Sequence, residues 1–255
     1  MTRPKVSLVI PALNEEEGIV ATLKRVPKVI DEIIVADGGS KDRTRELAEA
    51  AGAKVIVDTR KGYGLAYRKG FEAATGDIIT TADADGTYPT EMLPHVVEHL
   101  LTHNLSFINC SRFPLANTKS MAGLNKLGNI GMSLAATVLY LHTFRDIASG
   151  MWVFRRELLD KLDLGTNGWV FSPEIKLEAY WADPTRFAEF VIPYDERVGR
   201  THMVTMWQTG LEVLGFMAYE RCKHFLRSRV VNARRTVPTN LTSVPSAKDD
   251  KPIAK

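Results

Sequence analysis

Asp83 and Asp85 stand one residue apart at the end of an apolar run, "DIITTADAD" (77–85), and a Gly-Thr-Tyr-Pro turn follows them. On a strand, residues i and i+2 face the same side. If the strand continues, both carboxylates point one way at its carboxyl end. If a turn begins at Asp85, they converge on one site from neighbouring positions. Two anionic groups this close are stable only with a cation or hydrogen-bond donors between them. Hard oxygen ligands suit Mg²⁺ or Mn²⁺, ions that usually bridge substrate phosphates rather than sit in an all-protein cage. The plainer reading is a solvated turn with an Asp capping the next helix. The triplet alone favours that reading; its place behind an apolar strand shifts the balance toward chemistry.

Other residues fall at comparable places. Asp37 ends a second apolar run and is followed by Gly38-Gly39-Ser40, where the glycines let a nucleoside base or ribose approach the backbone. Ser40 as a cap for the following helix is compatible with that role. "RKGYGLAYRKG" (60–70) puts basic and glycine residues between a strand and a helix, but without the spacing of a P-loop. No strand carries G-x-G-x-x-G into a helix, so a dinucleotide site is disfavoured. Asp146, just before Ser149-Gly150, is a candidate base or acceptor-positioning group, with a turn-forming role as the alternative. Glu174, near a helix start, is better read as serving the helix dipole than as a base. His95, His99 and His103 share one helix face without other ligand types nearby and read as a solvated stripe.

The elements needed to hold these residues are visible as an alternation. Strands are expected at 6–12, 31–40, 53–59, 77–85 and 105–113. Helices are expected at 15–26, 41–52, 64–76 and 90–104. Short apolar strands alternating with helices of about a dozen residues indicate an α/β protein with a parallel sheet of βαβ units. Ligands of such sheets bind beyond the carboxyl ends of the strands, where the aspartates fall. Past residue 114 the pattern changes. A long helix is expected at 125–144, a strand and helix at 149–162, a helix at 172–182, a strand running into a loop at 187–199 and a helix at 203–235. The last is basic at its end, with Arg221, Lys223, Arg227, Arg229, Arg234 and Arg235 and no acid in 221–235. Residues 236–255 are poor in large apolar side chains and are expected to be a disordered tail.

The 255 residues, 45% hydrophobic and 25% charged, are ordinary globular composition with room for one large domain or two small ones. A net charge of +3 is too small to imply a nucleic-acid partner. No window resembles a signal peptide or a membrane-spanning helix. Cys110 and Cys222 sit in no metal-ligand spacing and read as reduced intracellular thiols.

"VSLVIPALNEEEGI", "EIIVADGGSKDRT", "KGYGLAYRKGFEAATGDIITTADADGTYPTE" and "NCSRF" occur in an order and spacing that resemble the family 2 glycosyltransferases of the GT-A fold. "NKLGN", "RDIASGMWVFRRELL", "FSPEIKLEAY" and "VIPYDERVGRTHM" make the resemblance closest to the branch holding dolichyl-phosphate mannose synthase and related polyprenyl-phosphate glycosyltransferases. It covers about residues 5–205. The resemblance implies a GT-A (Rossmann-like), mostly parallel central sheet flanked by helices. The expected division is a glycosyltransferase domain over 1–205, a basic amphipathic helical extension over 206–235 and the tail.

By position, the resemblance implies that Pro11, Leu13, Asn14, Glu15 and Asp37 line the nucleotide, with Lys61 near the donor. Asp83 would face the ribose or sugar, and Asp85 would hold Mg²⁺ or Mn²⁺ on the diphosphate. Thr87 stands where the mannose synthases have a metal-reaching glutamine; its hydroxyl is a shorter and weaker ligand. Arg112 would meet the acceptor phosphate, with Lys126. Arg197 opens the segment near the diphosphate, where Arg200 and His202 would share the cationic role. The implied reaction is inverting, metal-dependent transfer of a hexose from a GDP- or UDP-sugar to a dolichyl-like polyprenyl phosphate. A phosphate acceptor is already ionised and needs no base, whereas a soluble or glycan hydroxyl, the alternative acceptor, would need one. A non-catalytic sugar-nucleotide-binding protein is the alternative of another class; the retained Asp83, Asp85, Arg112 and Arg197 argue against it. The expected location is cytoplasmic, or peripheral on the cytoplasmic face of the membrane through the basic helix. A homodimer contact is the other reading of that helix.

Overall fold

The computed structural model describes residues 3–115, 117, 121, 123–199 and 206–235. Its centre is a seven-stranded sheet in the order β3-β2-β1-β4-β6-β5-β7. These strands are β1 (Val6–Ala12), β2 (Glu32–Asp37), β3 (Lys54–Val57), β4 (Ile78–Thr81), β5 (Phe107–Ser111), β6 (Trp152–Arg155) and β7 (Phe187–Val191). β1 pairs in parallel with both β2 and β4, β2 with β3, and β5 with β7. β6 alone runs antiparallel, between β4 and β5. All seven residues of β1 and all four of β4 are buried, as strands covered on both faces require. The helices are α1 (Glu16–Lys24), α2 (Thr44–Ala50), α3 (Tyr63–Ala73), α4 (Leu93–Thr102), α5 (Gly123–Tyr140), α6 (Phe171–Ala182) and α7 (Met206–Arg235).

One core cluster gathers Leu8, Ile10, Ile19, Val97 and Leu100 on the α1 and α4 side of the sheet. The other gathers Tyr67, Phe71, Trp152, Phe171 and Met217 on the side of α3, α6 and α7. The chain order reverses between β1 and β4, so the crevice at their carboxyl ends is the place for a ligand.

Two local expectations differ from the structure. β4 ends at Thr81 rather than reaching residue 85, so Asp83 and Asp85 lie in the loop beyond it. Thr81 turns its hydroxyl onto the Gly150 carbonyl at 2.8 Å and accepts the Trp152 amide at 2.8 Å, which fixes where the ladder stops. The helix expected after β6 is a 3₁₀ segment, Arg156–Lys161. The strand at the far edge runs into a loop as expected, closing at Val191. Residues 201–205 and the tail at 236–255 lie outside the described residues.

α7 is docked, and part of its basic run is used in the docking. Tyr140 of α5 donates to the Met217 carbonyl at 3.0 Å. Arg221 donates to the Leu139 carbonyl at 2.9 Å and lies over the Trp181 ring. Lys223 pairs with Glu220 at 2.8 Å, Asp163 at 3.2 Å and Glu178 at 3.3 Å. His224 meets Glu178 at 2.8 Å and stacks on Trp181. Arg221 and Lys223 therefore face the protein, contrary to a reading in which the whole run lies on a bilayer.

α1 reaches the Asp83–Asp85 loop through Gly18. A Cβ there would stand 2.7 Å from the Ala84 carbonyl oxygen and 2.8 Å from the Asp85 Cα, distances at which the backbone must move. Gly18→Ala is expected to cost about 1–3 kcal/mol by overpacking and to displace Asp85, read as a lower urea midpoint together with weakened Mn²⁺ binding. Unchanged values for both would show that the helix and loop are not in this contact. A second expectation concerns pH. Burial lowers the His224 pKa, but the hydrogen bonds and charges of Glu178 and Glu220 outweigh it and leave His224 raised above 6.5. A raised imidazolium stabilises the docked helix fully below its unfolded pKa, and that contribution fades as pH rises through the folded one. Hydrogen-exchange protection of 213–226 is expected to fall between about pH 6 and about pH 9, and His224→Phe is expected to flatten that change.

Candidate functional site

A cavity of about 610 Å³ opens at the carboxyl ends of β1 and β4. Its polar end is lined by Pro11, Leu13, Glu15, Asp83, Asp85, Arg112 and Arg197. Its other end runs between α5, α6 and α7 along Met132, Ile147, Trp169, Pro173 and Val213.

The two aspartates are held differently. Asp85 is buried. Its Oδ1 accepts the Thr87 hydroxyl at 2.7 Å and the Thr87 amide at 3.1 Å, and its Oδ2 accepts from Arg197 at 2.7 Å. Arg197 also donates to Glu15, so one guanidinium bridges the β1 loop and the aspartate loop. Asp83 is half-buried. Its Oδ1 accepts from Tyr63 at 3.1 Å, while its Oδ2 takes no donor among the described residues. Burial, then the neighbouring Asp85 charge, raise Asp83 to about 7. A carboxyl lifted by a second carboxyl beside it marks a site short of positive charge. Two hard-oxygen groups on one loop fit a divalent cation. Asp85 and Asp83 are the residues that could hold it.

The loop carrying them is clamped from behind. Thr22 of α1 accepts the Gly86 amide at 3.0 Å. Arg25 donates to the Gly86 carbonyl at 3.1 Å, to both oxygens of Glu91, and to Asp195 at 2.8 Å. This ties the aspartate loop to the segment that bears Arg197.

Across the cavity, Arg112 leaves β5 buried and is gripped by Asp146. Nε donates to Oδ2 at 2.7 Å, a terminal nitrogen to Oδ1 at 2.8 Å, and the Arg112 amide to Oδ2 at 3.0 Å. Burial alone would raise Asp146; the Arg112 charge and hydrogen bonds keep it lowered. Arg112 also lies 5.2 Å from the centre of the Tyr194 ring. With both oxygens engaged and the side chain fully buried, Asp146 cannot serve as a base. Its place is behind Arg112, setting the guanidinium plane.

Several expected residues stand elsewhere or do other work. Thr87 gives its hydroxyl proton to Asp85 at 2.7 Å and so steadies the candidate ligand, with its oxygen lone pairs still able to accept. Asn14 does not line the cavity; with φ at 54°, it donates its amide to Ser40 at 2.9 Å and accepts from the Lys41 amide at 2.8 Å, joining the first two strand-end loops. Asp37 is buried and accepts the Ser40 hydroxyl at 2.5 Å and amide at 2.9 Å, beside the cavity-lining Gly38. Lys61 is exposed outside the lining, which the adjacent Gly62 and Tyr63 enter. Lys126 is also outside the lining, one turn before Asn129, which is in it. Arg200 and His202 lie outside the described residues. Glu174 acts neither as a base nor simply on the helix dipole. Its carboxylate accepts the Gly165 amide at 2.9 Å and the Thr166 hydroxyl at 2.6 Å, pinning the loop that carries Trp169.

The sequence reading missed an aromatic group. Trp169 stacks on Tyr63 with ring centres 4.4 Å apart, and Tyr63 in turn donates to Asp83. Tyr88 accepts the Gly150 amide at 2.6 Å, and Tyr67 donates to the Gly150 carbonyl at 3.1 Å. A Cβ on Gly150 would meet the Tyr63 hydroxyl at 2.6 Å and the Asp83 oxygens at 3.0 and 3.1 Å. Tyr63 and Tyr88 could have been flagged by their places in "KGYG" and "DADGTY"; nothing local marks Trp169.

Comparison with known proteins agrees with this geometry. The family described as "Glycosyl transferase family 2" matches residues 7–163. A dolichyl-phosphate hexose transferase of Haloferax volcanii is 32% identical over 203 residues, covering 77% of this chain and 86% of its own length. The low-salt glycan biosynthesis hexosyltransferase Agl6 of the same organism is 35% identical over 208 residues, covering 78% of this chain and 50% of its own. This chain thus spans half the length of that relative. Among solved structures, glucosyl-3-phosphoglycerate synthase from Mycobacterium tuberculosis, in complex with Mn²⁺ and UDP-glucose, has a TM-score of 0.70 at 24% identity. That match covers 86% of this chain and 79% of the other, and shows a shared fold.

Removing one partner of a buried, hydrogen-bonded ion pair strands the other charge. Asp146→Ala is therefore expected to destabilise the protein by about 3–5 kcal/mol, measured by urea unfolding. A loss below about 1 kcal/mol, the range of a surface pair, would contradict the burial of this pair.

Proposed function

We propose, from the premise that this chain belongs to glycosyl transferase family 2 and is a glycosyltransferase, that it transfers a hexose from a GDP- or UDP-sugar to a polyprenyl phosphate with inversion at the anomeric carbon. The observation that carries the acceptor half is the shape of the cavity. A buried cation, Arg112, stands where the lining changes from carboxylates to an apolar trough along Met132, Ile147, Pro173 and Val213. A phosphate head with a hydrocarbon tail has that distribution of charge and grease. The name of the Haloferax volcanii relative supports the same acceptor class.

Asp85, with Asp83 beside it, would hold Mg²⁺ or Mn²⁺, which supplies charge neutralisation for the leaving diphosphate; the metal content of the solved neighbours supports this choice. Pro11, Leu13 and Glu15 form the wall for the nucleotide. Tyr63 and Trp169 present ring faces beside Asp83, and Tyr63 orients its carboxylate. Arg112, aligned by Asp146, receives the acceptor phosphate and steadies its oxygens for in-line attack. That nucleophile is already ionised, which matches the engagement of Asp146. A hydroxyl acceptor would need a base, and of the carboxyls lining the cavity Asp83 has an oxygen without a donor among the described residues.

No described helix is long and apolar enough to cross a membrane. α5 exposes Leu127, Leu134 and Val138, with Leu141 just past its end, and α7 exposes Leu211, Leu214, Phe225 and Leu226. These helices also wall the apolar end of the cavity, which supports a peripheral position with that end toward the cytoplasmic face of a bilayer.

The test offers labelled GDP- and UDP-hexoses to the protein with Mn²⁺ and phytanyl phosphate. Label in the butanol phase is expected; label only in water-soluble product would replace the lipid acceptor with a hydroxyl one. Arg112→Lys keeps the charge but loses the planar fork. It is expected to lower kcat/KM for phytanyl phosphate about 30- to 100-fold, on the order of a charged hydrogen bond, with nucleotide affinity within about two-fold.

A further inference from the structure

Lys176 is fully buried on α6 and does not line the cavity. Lysine is rarely buried without a carboxylate against it. Here the Nζ instead donates to three uncharged oxygens: the Ile147 carbonyl at 2.7 Å, the Ser149 carbonyl at 2.6 Å and the Ser172 hydroxyl at 2.8 Å. It also lies 5.3 Å from the centre of the Trp152 ring.

The proton count separates two arrangements. Carbonyls only accept. The Ser172 hydroxyl lies 2.9 Å from the Ser149 carbonyl and 2.8 Å from Nζ. With its single proton on the Ser149 carbonyl, three acceptors need three N–H groups at once, which an ammonium has and an amine lacks; with that proton turned to Nζ, an amine would serve. Burial pushes the Lys176 pKa well down, and Asp146 opposes that push; the three oxygens around Nζ favour the charged form.

The three oxygens belong to the framework under the cavity. Ile147 and Ser149 lie within the loop whose first residue, Asp146, aligns Arg112, and whose last, Gly150, lies against Asp83, accepts from Tyr67 and donates to Tyr88. The Ser149 carbonyl is a hub: it accepts Lys176, Ser172 and the Trp152 indole N–H, the last at 2.8 Å. Asn109 of β5 adds a fourth tie by donating to the Asp146 carbonyl at 2.9 Å.

We propose that Lys176 is a positioning residue for the acceptor half of the site: its ammonium draws the Ile147 and Ser149 carbonyls together, and the loop so held sets Asp146 against Arg112. The link to an acceptor rests on the reading of Arg112 given above; the geometry of the clamp does not. Lys176 touches no reacting atom. None of its three hydrogen bonds reaches β1, α1 or the Asp85 loop.

The clamp is tested on the full chain in two ways. In wild-type protein with ¹⁵N-labelled lysine, a protected Nζ resonance with three attached protons, shifted by the Trp152 ring, is expected between about pH 7 and about pH 9. A two-proton amine, or no protected lysine signal, would overturn the proposal. In Lys176→Met, the Arg112 Nε–H, slow to exchange in wild type, is expected to exchange at least tenfold faster. Affinity for UDP with Mn²⁺ is expected to stay within about two-fold, and KM for phytanyl phosphate to rise at least tenfold with a smaller change in kcat. Equal losses in nucleotide affinity and acceptor KM, or a lower melting temperature with unchanged kinetics and Arg112 exchange, would reduce Lys176 to a structural role. If Lys176→Met does not fold, the wild-type ammonium signal decides. If wild-type protein makes no lipid product but both resonances behave as expected, the acceptor reading fails and the clamp stands.

Discussion

Crowding two carboxylates onto one loop at the end of a parallel sheet is unfavourable, and much of the surrounding structure answers that constraint. Asp85 is given hydrogen bonds on both oxygens, from Thr87 and Arg197. Asp83 has one oxygen that takes no donor among the described residues, and its pKa is raised by burial and by Asp85. The loop cannot relax away from the conflict. Gly18 admits it against α1 with no room for a Cβ, and Thr22 and Arg25 hold the Gly86 amide and carbonyl. Charge repulsion that the backbone cannot relieve makes a cation site before any cation arrives. Arg197 is the protein's own partial answer, and its bridge from Asp85 to Glu15 gives a ligand cation something to rearrange.

The other half of the cavity solves the opposite problem. There a cation, Arg112, is buried and must be kept charged and oriented. Asp146 does this with two side-chain contacts and one to the backbone amide, and the loop behind it is held by Asn109 and Lys176. Between the halves stand the aromatic groups. Glu174 pins the loop that presents Trp169, Trp169 stacks on Tyr63, and Tyr63 reaches Asp83. The aspartate end is thus anionic and short of positive charge, whereas the Arg112 end carries a fixed cation and an apolar exit. Those complementary deficits are what a glycosyl transfer between two phosphate-bearing partners would exploit.

How much of this the sequence disclosed follows from what each feature depends on. The alternation of strands and helices was legible because periodicity is local, and so was the gathering of Leu13, Glu15, Asp83, Asp85 and Arg112, since these lie beyond strand ends; Pro11 and Arg197 were pointed out only by the family resemblance. What each carboxylate does was not legible. Asp146 looks like a base until Arg112, 34 residues earlier, is seen to occupy it. That Thr87 also donates its hydroxyl to Asp85 is seen only in the folded loop. Glu174 looks like a helix-end charge until residues 165 and 166 are folded back onto it. Trp169 and Lys176 gave no local sign at all, because their roles are made by the three-dimensional approach of α6, its preceding loop and the strand-end loops. Sequence patterns report which groups can be near the site; proton and acceptor counts decide what they can still do there.

The central claim is that Asp83 and Asp85 form a cation site completed by the nucleotide. Titration of Mn²⁺ followed by electron paramagnetic resonance, with and without UDP, reads it directly in wild type and in Asp85→Asn. The account expects one Mn²⁺ per chain, bound at least tenfold more tightly with UDP present, and loss of that binding in Asp85→Asn. Equal Mn²⁺ affinity in the two proteins, with UDP bound equally well by both, would contradict it.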